Sequence, residues 1–115
     1  MGAMSRRKGA AGELELAKFL EGILGVPASR SARNGVDQAE DIHHEIPGLH
    51  IECKRVETIN VHKALAQAEV ASEGKKIPTV WFRRNRGEWI LAVPAKHLPI
   101  LARLVAGVLD RNGKD

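Results

Sequence analysis

The chain has 115 residues, 43% of them apolar and 28% charged, with a formal net charge of +4. That length favours one domain with a modest core, the apolar share excludes a disordered chain, and no apolar run approaches the ~20 residues a membrane-spanning helix needs. A single cysteine excludes an internal disulfide and a Cys-based zinc site, and the excess of base suits a partner that carries phosphates.

Met1-Gly2-Ala3-Met4 has no signal-peptide core and reads as an expression remnant over 1–4, so the chain reads as intracellular and cytoplasmic. The folded unit is expected over 5–110, with a frayed polar tail over 111–115. Aromatic residues are few (two Trp, two Phe, no Tyr), so Leu, Ile, Val and Ala must build the core.

Residues 10 to 24 are predicted helical, with Leu14, Leu16, Ala17, Phe19, Leu20, Ile23 and Leu24 as a broad apolar face and Gly25 and Pro27 as the stop. Glu13 precedes Ala17 and Leu20 by helical steps, so it points with the core-facing side chains. It is either an acid favoured by the helix N-terminus or a site residue aimed at the sheet. Ala28 to Arg33 is predicted as a short strand broken by Asn34-Gly35, and a loop follows to Glu40.

Ile42 to Ile46 and Leu49 to Cys53 flank Pro47-Gly48, a hairpin signal. If the hairpin closes there, Ile46 faces Leu49, His43 faces Glu52, and Asp41 faces Lys54. One face then carries Asp41, His43, Glu45, His50, Glu52 and Lys54, and the other Ile42, His44, Ile46, Leu49, Ile51 and Cys53. Asp41 and Glu52 offer hard oxygen ligands of the kind Mg²⁺ prefers, and Lys54 a point charge for a phosphate oxygen or an attacking water. The spacing alone leaves a metal site and an ordinary charged face equally open.

Asn60 resembles an N-cap for a helix through Glu73, with Val61, Ala64, Leu65, Ala68 and Ala71 on one face and Gly74 ending it. Thr79 to Arg83 and Glu88 to Val93 are predicted strands around an Asn85-Arg86-Gly87 turn. Pro94 opens a last helix in which Leu98, Leu101, Leu104, Val105 and Val108 can pack inward. The order helix, strands, helix, strands, helix gives an α/β fold, one mixed sheet covered by helices in a single domain.

With Glu13, Asp41 and Glu52-Cys53-Lys54 in that order, the chain resembles the PD-(D/E)XK nuclease superfamily, and within it the archaeal-type Holliday junction resolvases and their phage relatives. Lys8-Gly9 before Glu13, Arg30 and Arg33, Asp41-Ile42, Ile51-Glu52-Cys53-Lys54 and Trp89 carry the likeness over about residues 6 to 95. The resemblance implies a restriction-endonuclease-like fold. It also implies Asp41, Glu52 and Glu13 as metal ligands with the Cys53 backbone carbonyl, and Lys54 at the attacking water or the phosphate. Mg²⁺ is the expected ion, with Mn²⁺ able to substitute, and no organic cofactor is expected. In-line attack of a metal-activated water would leave a 5′-phosphate. Glu40 stands where many relatives have Pro. It competes with Asp41 as a ligand, but alternation puts it on the opposite face.

Gln67 is either a surface helix residue or an accessory that orients water or phosphate. His43, His44 and His50 suggest zinc but lack a clear further ligand set, although His50 would line the site. Arg6, Arg7, Lys8, Arg30 and Arg33 are assigned to phosphate contacts through the resemblance. Arg55 joins them less firmly, since it points away from Lys54. Arg83, Arg84 and Arg86 surround a hairpin tip that either reaches DNA or stays solvated, and Trp81 and Trp89 belong to the core or a subunit contact. The expected activity is resolution of branched DNA by a homodimer, because a junction needs two symmetric nicks. Leu98, Ile100, Leu101, Leu104 and Val108 are the dimer candidates, and equally core candidates. The alternatives are a nuclease for flaps, ends or duplex, and a non-catalytic DNA-binding protein.

Overall fold

Leu16, Ala17, Leu20 and Leu24 recur at helical spacing and are buried along one side of helix α1 (Ala3–Leu24), with Glu13 in the same row. The computed structural model describes residues 3–31 and 40–113, with side chains from residue 9 onward. Leu14, Phe19 and Ile23 are exposed, so the core-facing stripe of α1 is narrower than the predicted apolar face. Gly25, at φ +73°, ends the helix, and its N–H donates to the Glu21 carbonyl.

Strands β1 (Ala28–Arg30) and β2 (Ile42–His44) follow, then β3 (Leu49–Arg55), helix α2 (Val61–Ala71), β4 (Ile77–Arg83), β5 (Ile90–Ala92), a 3₁₀ turn (Ala95–His97) and helix α3 (Leu98–Arg111). The Asn60 side chain accepts from the Lys63 N–H at 3.0 Å and caps α2 as predicted. The helix stops at Ala71, shorter than expected, and Gly74 turns beyond it at φ +67°.

The predicted hairpin does not form as a ladder. The chain does reverse at Pro47-Gly48, where Gly48 sits at φ +82° and the Leu49 N–H donates to the Ile46 carbonyl at 3.3 Å. Its two arms then part. β2 pairs antiparallel with β1, while β3 pairs in parallel with β4 from Leu49↔Ile77 to Arg55↔Arg83, and β5 closes that sheet antiparallel. The reason is burial. A strand covered on both faces pairs in parallel through a helical crossover, and α2 is that crossover. Leu49, Ile51, Ile77 and Trp81 pack with the buried residues of α1 and α3. Val80 packs with Ala64 and Ala68 of α2 on the other face. His50, expected on a charged face, is therefore only 1% exposed.

The result is one α/β domain: a three-stranded mixed sheet and a two-stranded antiparallel pair, flanked by three helices. This is the arrangement expected of a restriction-endonuclease-like fold. In α3, Leu101 and Val108 are core while Leu98 and Ile100 are exposed, which divides the residues that could serve either core or dimer. Trp81 is core, its Nε1–H donating to Thr79 Oγ1, which in turn donates to the His50 carbonyl at 2.7 Å. Among the described residues, no helix is long and apolar enough to cross a membrane.

Candidate active site

The edge of β3 that faces away from β4 organises the site. Along a strand, the N–H and C=O of one residue share an edge and successive residues alternate edges. Even-numbered residues of β3 turn to β4, so Ile51 and Cys53 turn to the other side. There the Asp41 N–H donates to the Ile51 carbonyl at 3.4 Å, and Asp41 Oδ2 accepts the Cys53 N–H at 2.8 Å. Asp41 is thus set against the peptide joining Glu52 to Cys53, not opposite Lys54 as a closed hairpin would put it. The Cys53 carbonyl shares that edge. The Ser31 N–H holds the Asp41 carbonyl at 3.0 Å, tying the segment to the end of β1.

Glu52 and Lys54 lie beside Val80 and Phe82 in the β3–β4 register, on the face that α2 covers. His50 Nε2 is 2.9 Å from Glu52 Oε1, so a fully buried imidazole fixes that carboxylate. Lys54 is half-buried, and among the described residues its ammonium makes no hydrogen bond or ion pair. Burial pushes the Cys53 thiol up to about 12, and the charges of Asp41, Glu15 and Glu52 add to it. The thiol is a neutral packing group on the α1 side.

Glu13 is 4% exposed and accepts from Arg30 Nε at 2.8 Å, so the first-helix acid positions a β1 arginine. Among the described residues, no three His, Cys, Asp or Glu side chains converge as a metal-holding group. In this conformation Glu13 does not join Asp41 and Glu52 as a direct third ligand. Arg55 is engaged internally, with Nε on Glu15 at 3.0 Å and Nη1 on Asn85 Oδ1 at 2.7 Å. Gln67 is exposed and borders a hollow with Lys63, Ala66, Val70 and Ala71, none of them a candidate site residue. His43 is exposed. The side chains of Arg6, Arg7 and Lys8, and the whole of Arg33, lie outside the described residues, as does the predicted Asn34-Gly35 break.

Residues 4–107 match the model of a family described as "Phage putative PDDEXK endonuclease". The chain belongs to that family. No curated protein and no solved structure gave a match. As a member of this phage PDDEXK family, the protein is a nuclease of the PD-(D/E)XK superfamily.

One residue of this PDDEXK nuclease does structural work that its sequence did not advertise. Glu40 Oε2 accepts the Ile51 N–H at 2.8 Å and meets His44 Nε2 at 2.7 Å, while Oε1 takes Lys76 Nζ at 2.8 Å. Burial alone would raise its pKa, but the bonds from His44, Lys76 and the Ile51 N–H bring it down to about 2. Two consecutive carboxylates, Glu40 and Asp41, therefore satisfy alternate N–H groups of β3 in place of a paired strand. Both Glu40 oxygens are occupied by these partners. Two adjacent acids before a short strand were the only visible signal.

Proposed function

We propose that this PDDEXK protein is a metal-dependent, structure-selective DNA endonuclease that resolves four-way junctions by paired symmetric nicks. The observation that carries the chemistry is Asp41 bonded to the Glu52–Cys53 peptide, with the unspent Lys54 ammonium one residue further on. Two carboxylates and a backbone carbonyl fit Mg²⁺, which keeps several waters and takes few protein ligands, and Mn²⁺ suits the same donors. Asp41, Glu52 and the Cys53 carbonyl would hold the ion, and Glu13 would reach it through water. Bound there, the metal supplies Lewis acidity and a template for hydrolysis of a phosphodiester.

The chain's own groups do the rest. The contact with His50 helps position the Glu52 carboxylate for the ion. Lys54 orients the attacking water or neutralises charge on the phosphate. Arg30, 36% exposed at its side chain and held by Glu13, contacts a flanking phosphate. Arg6, Arg7, Lys8 and Arg33 extend that contact, and Gln67 is an accessory at most.

Junction resolution needs two sites related by two-fold symmetry, which a homodimer supplies. Leu98 and Ile100, 60% and 52% exposed, support that reading. The test is cleavage of a labelled four-way junction beside matched flap and duplex DNA, in Mg²⁺ and in EDTA. Paired symmetric nicks confined to the junction and lost in EDTA are expected. Equal cutting of flap or duplex would remove the junction role and keep the nuclease.

A further inference from the structure

We propose that the groove lined by Phe82 and Trp89 binds one unstacked base of the DNA substrate. This inference rests on the nuclease reading and narrows its substrate to DNA that can offer an unpaired base. Lys54 stands next to Phe82 in the parallel register, and neighbours in a sheet share a face. Phe82 opens a groove of about 680 Å³ that runs between the segment after β3 and the β4–β5 hairpin. That lies within the roughly 300–1,000 Å³ typical of pockets for small organic groups. Its lining joins Phe82 and Trp89 to Val56, Ile59 and Ile90, with Arg83 and Arg84 at the hairpin.

Arg83 marks the site. Its guanidinium carbon lies 5.7 Å from the Trp89 ring centroid. It borders both this groove and a second cleft of about 510 Å³ on the α1 side. Its ion pair with Glu15 is long, at 3.9 Å, and among the described residues its buried Nε has no hydrogen-bond partner. Arg83 therefore keeps donors to spare beside the Trp89 ring, which also meets Phe19 with ring centroids 6.5 Å apart. Of the two acids on the groove, Glu57 already accepts the Asn85 N–H at 2.7 Å. Glu88 is exposed and outnumbered by Arg83, Arg84 and the adjoining Arg86.

A flat aromatic and guanidinium surface, an apolar wall and surplus positive charge are together the chemistry that receives a base with its phosphate. A continuous duplex keeps its bases stacked and has none to offer. A branch point, flap or gap does, and the base would enter at the end of the sheet just beyond β3.

The test uses the full chain in EDTA. Tryptophan emission and affinity are followed on titration with oligothymidine and, separately, with a self-complementary duplex. Oligothymidine should quench the wild type. Trp89→Phe should lose most of the quench while keeping affinity, since a ring remains. Trp89→Leu and Arg83→Ala should each weaken oligothymidine binding by about five-fold or more, and duplex binding by less. Absence of quenching in the wild type would overturn the proposal, even if Trp89→Leu failed to fold. So would a folded Trp89→Leu that binds oligothymidine as tightly as the wild type. A parallel assay of DNA cutting in Mg²⁺ separates the two claims. Cutting with no base-site signal removes the base site alone; quenching without cutting of any DNA supports the base site and removes the nuclease reading beneath it.

Discussion

Glu40→Gln should destabilise the protein in a pH-dependent way. The Glu40 carboxylate is 16% exposed and bonded to His44, Lys76 and the Ile51 N–H, which brings its pKa from 4.5 to about 2. A drop of that size corresponds to about 3 kcal/mol of folded-state preference for the ionised form. Because the folded pKa lies below the unfolded one, this stability is fully present above about pH 4.5 and is lost as the pH falls towards 2. Gln keeps an acceptor for the Ile51 N–H but loses the ion pair with Lys76 and the charge-assisted bond from His44, so the difference from wild type at neutral pH should be about 2–3 kcal/mol. Urea unfolding of both proteins from pH 7 down to about pH 2 measures it, and taking the difference cancels the titration of other acids. The gap should close as acid is added. A gap of constant size, or none at neutral pH, would refute the electrostatic account of how β2 is held to β3.

Gly12 and Gly22 should respond to alanine with opposite signs. A Cβ on Gly12 would lie 2.6 Å from Arg55 Cβ, whereas one on Gly22 meets nothing within 4 Å among the described residues. Thermal melts should show Gly12→Ala destabilised by about 1–3 kcal/mol despite its better helix propensity, and Gly22→Ala stabilised by up to about 1 kcal/mol. Lys54→Ala should remove nearly all DNA cleavage and leave the fold intact, and normal turnover would take it out of the mechanism. Arg30→Ala should weaken DNA binding and lower the salt slope by about one, with Glu13→Gln shifting both the same way; unchanged slopes would return Arg30 to the solvated surface.

Several elements could be read before folding because their signals are local. Asn60 has a capping side chain within reach of Lys63, Asn85-Arg86-Gly87 makes the turn where the Gly87 N–H returns to the Arg84 carbonyl, and Glu13 keeps helical step with Leu16, Ala17 and Leu20. The β3 partner could not be read this way. Pro47-Gly48 is a strong short-range reversal signal, but whether the arms pair depends on helices covering both faces of β3, a property of the whole fold. The same holds for side chains whose partners are distant in sequence. Arg55 is claimed by Glu15 and Asn85, and Glu40 by Lys76, so one candidate DNA contact is engaged internally and one candidate ligand is a structural clamp. Helices apolar around much of their circumference do not reveal which side is buried, which is why Leu14, Ile23 and Leu98 are exposed. The candidate site was legible as Asp41, Glu52 and Lys54. That Asp41 meets the Glu52–Cys53 peptide at the β3 edge away from β4 was visible only in the fold.

If Asp41 and Glu52 hold a catalytic metal, their charges are needed for cutting and not for DNA binding. The most direct measurement compares wild type, Asp41→Asn and Glu52→Gln on one labelled branched DNA, following binding in EDTA and cleavage across a Mg²⁺ titration. Mg²⁺-dependent cutting by the wild type only is expected, with all three proteins folded and binding the DNA. Undiminished cutting by either variant would contradict the metal assignment.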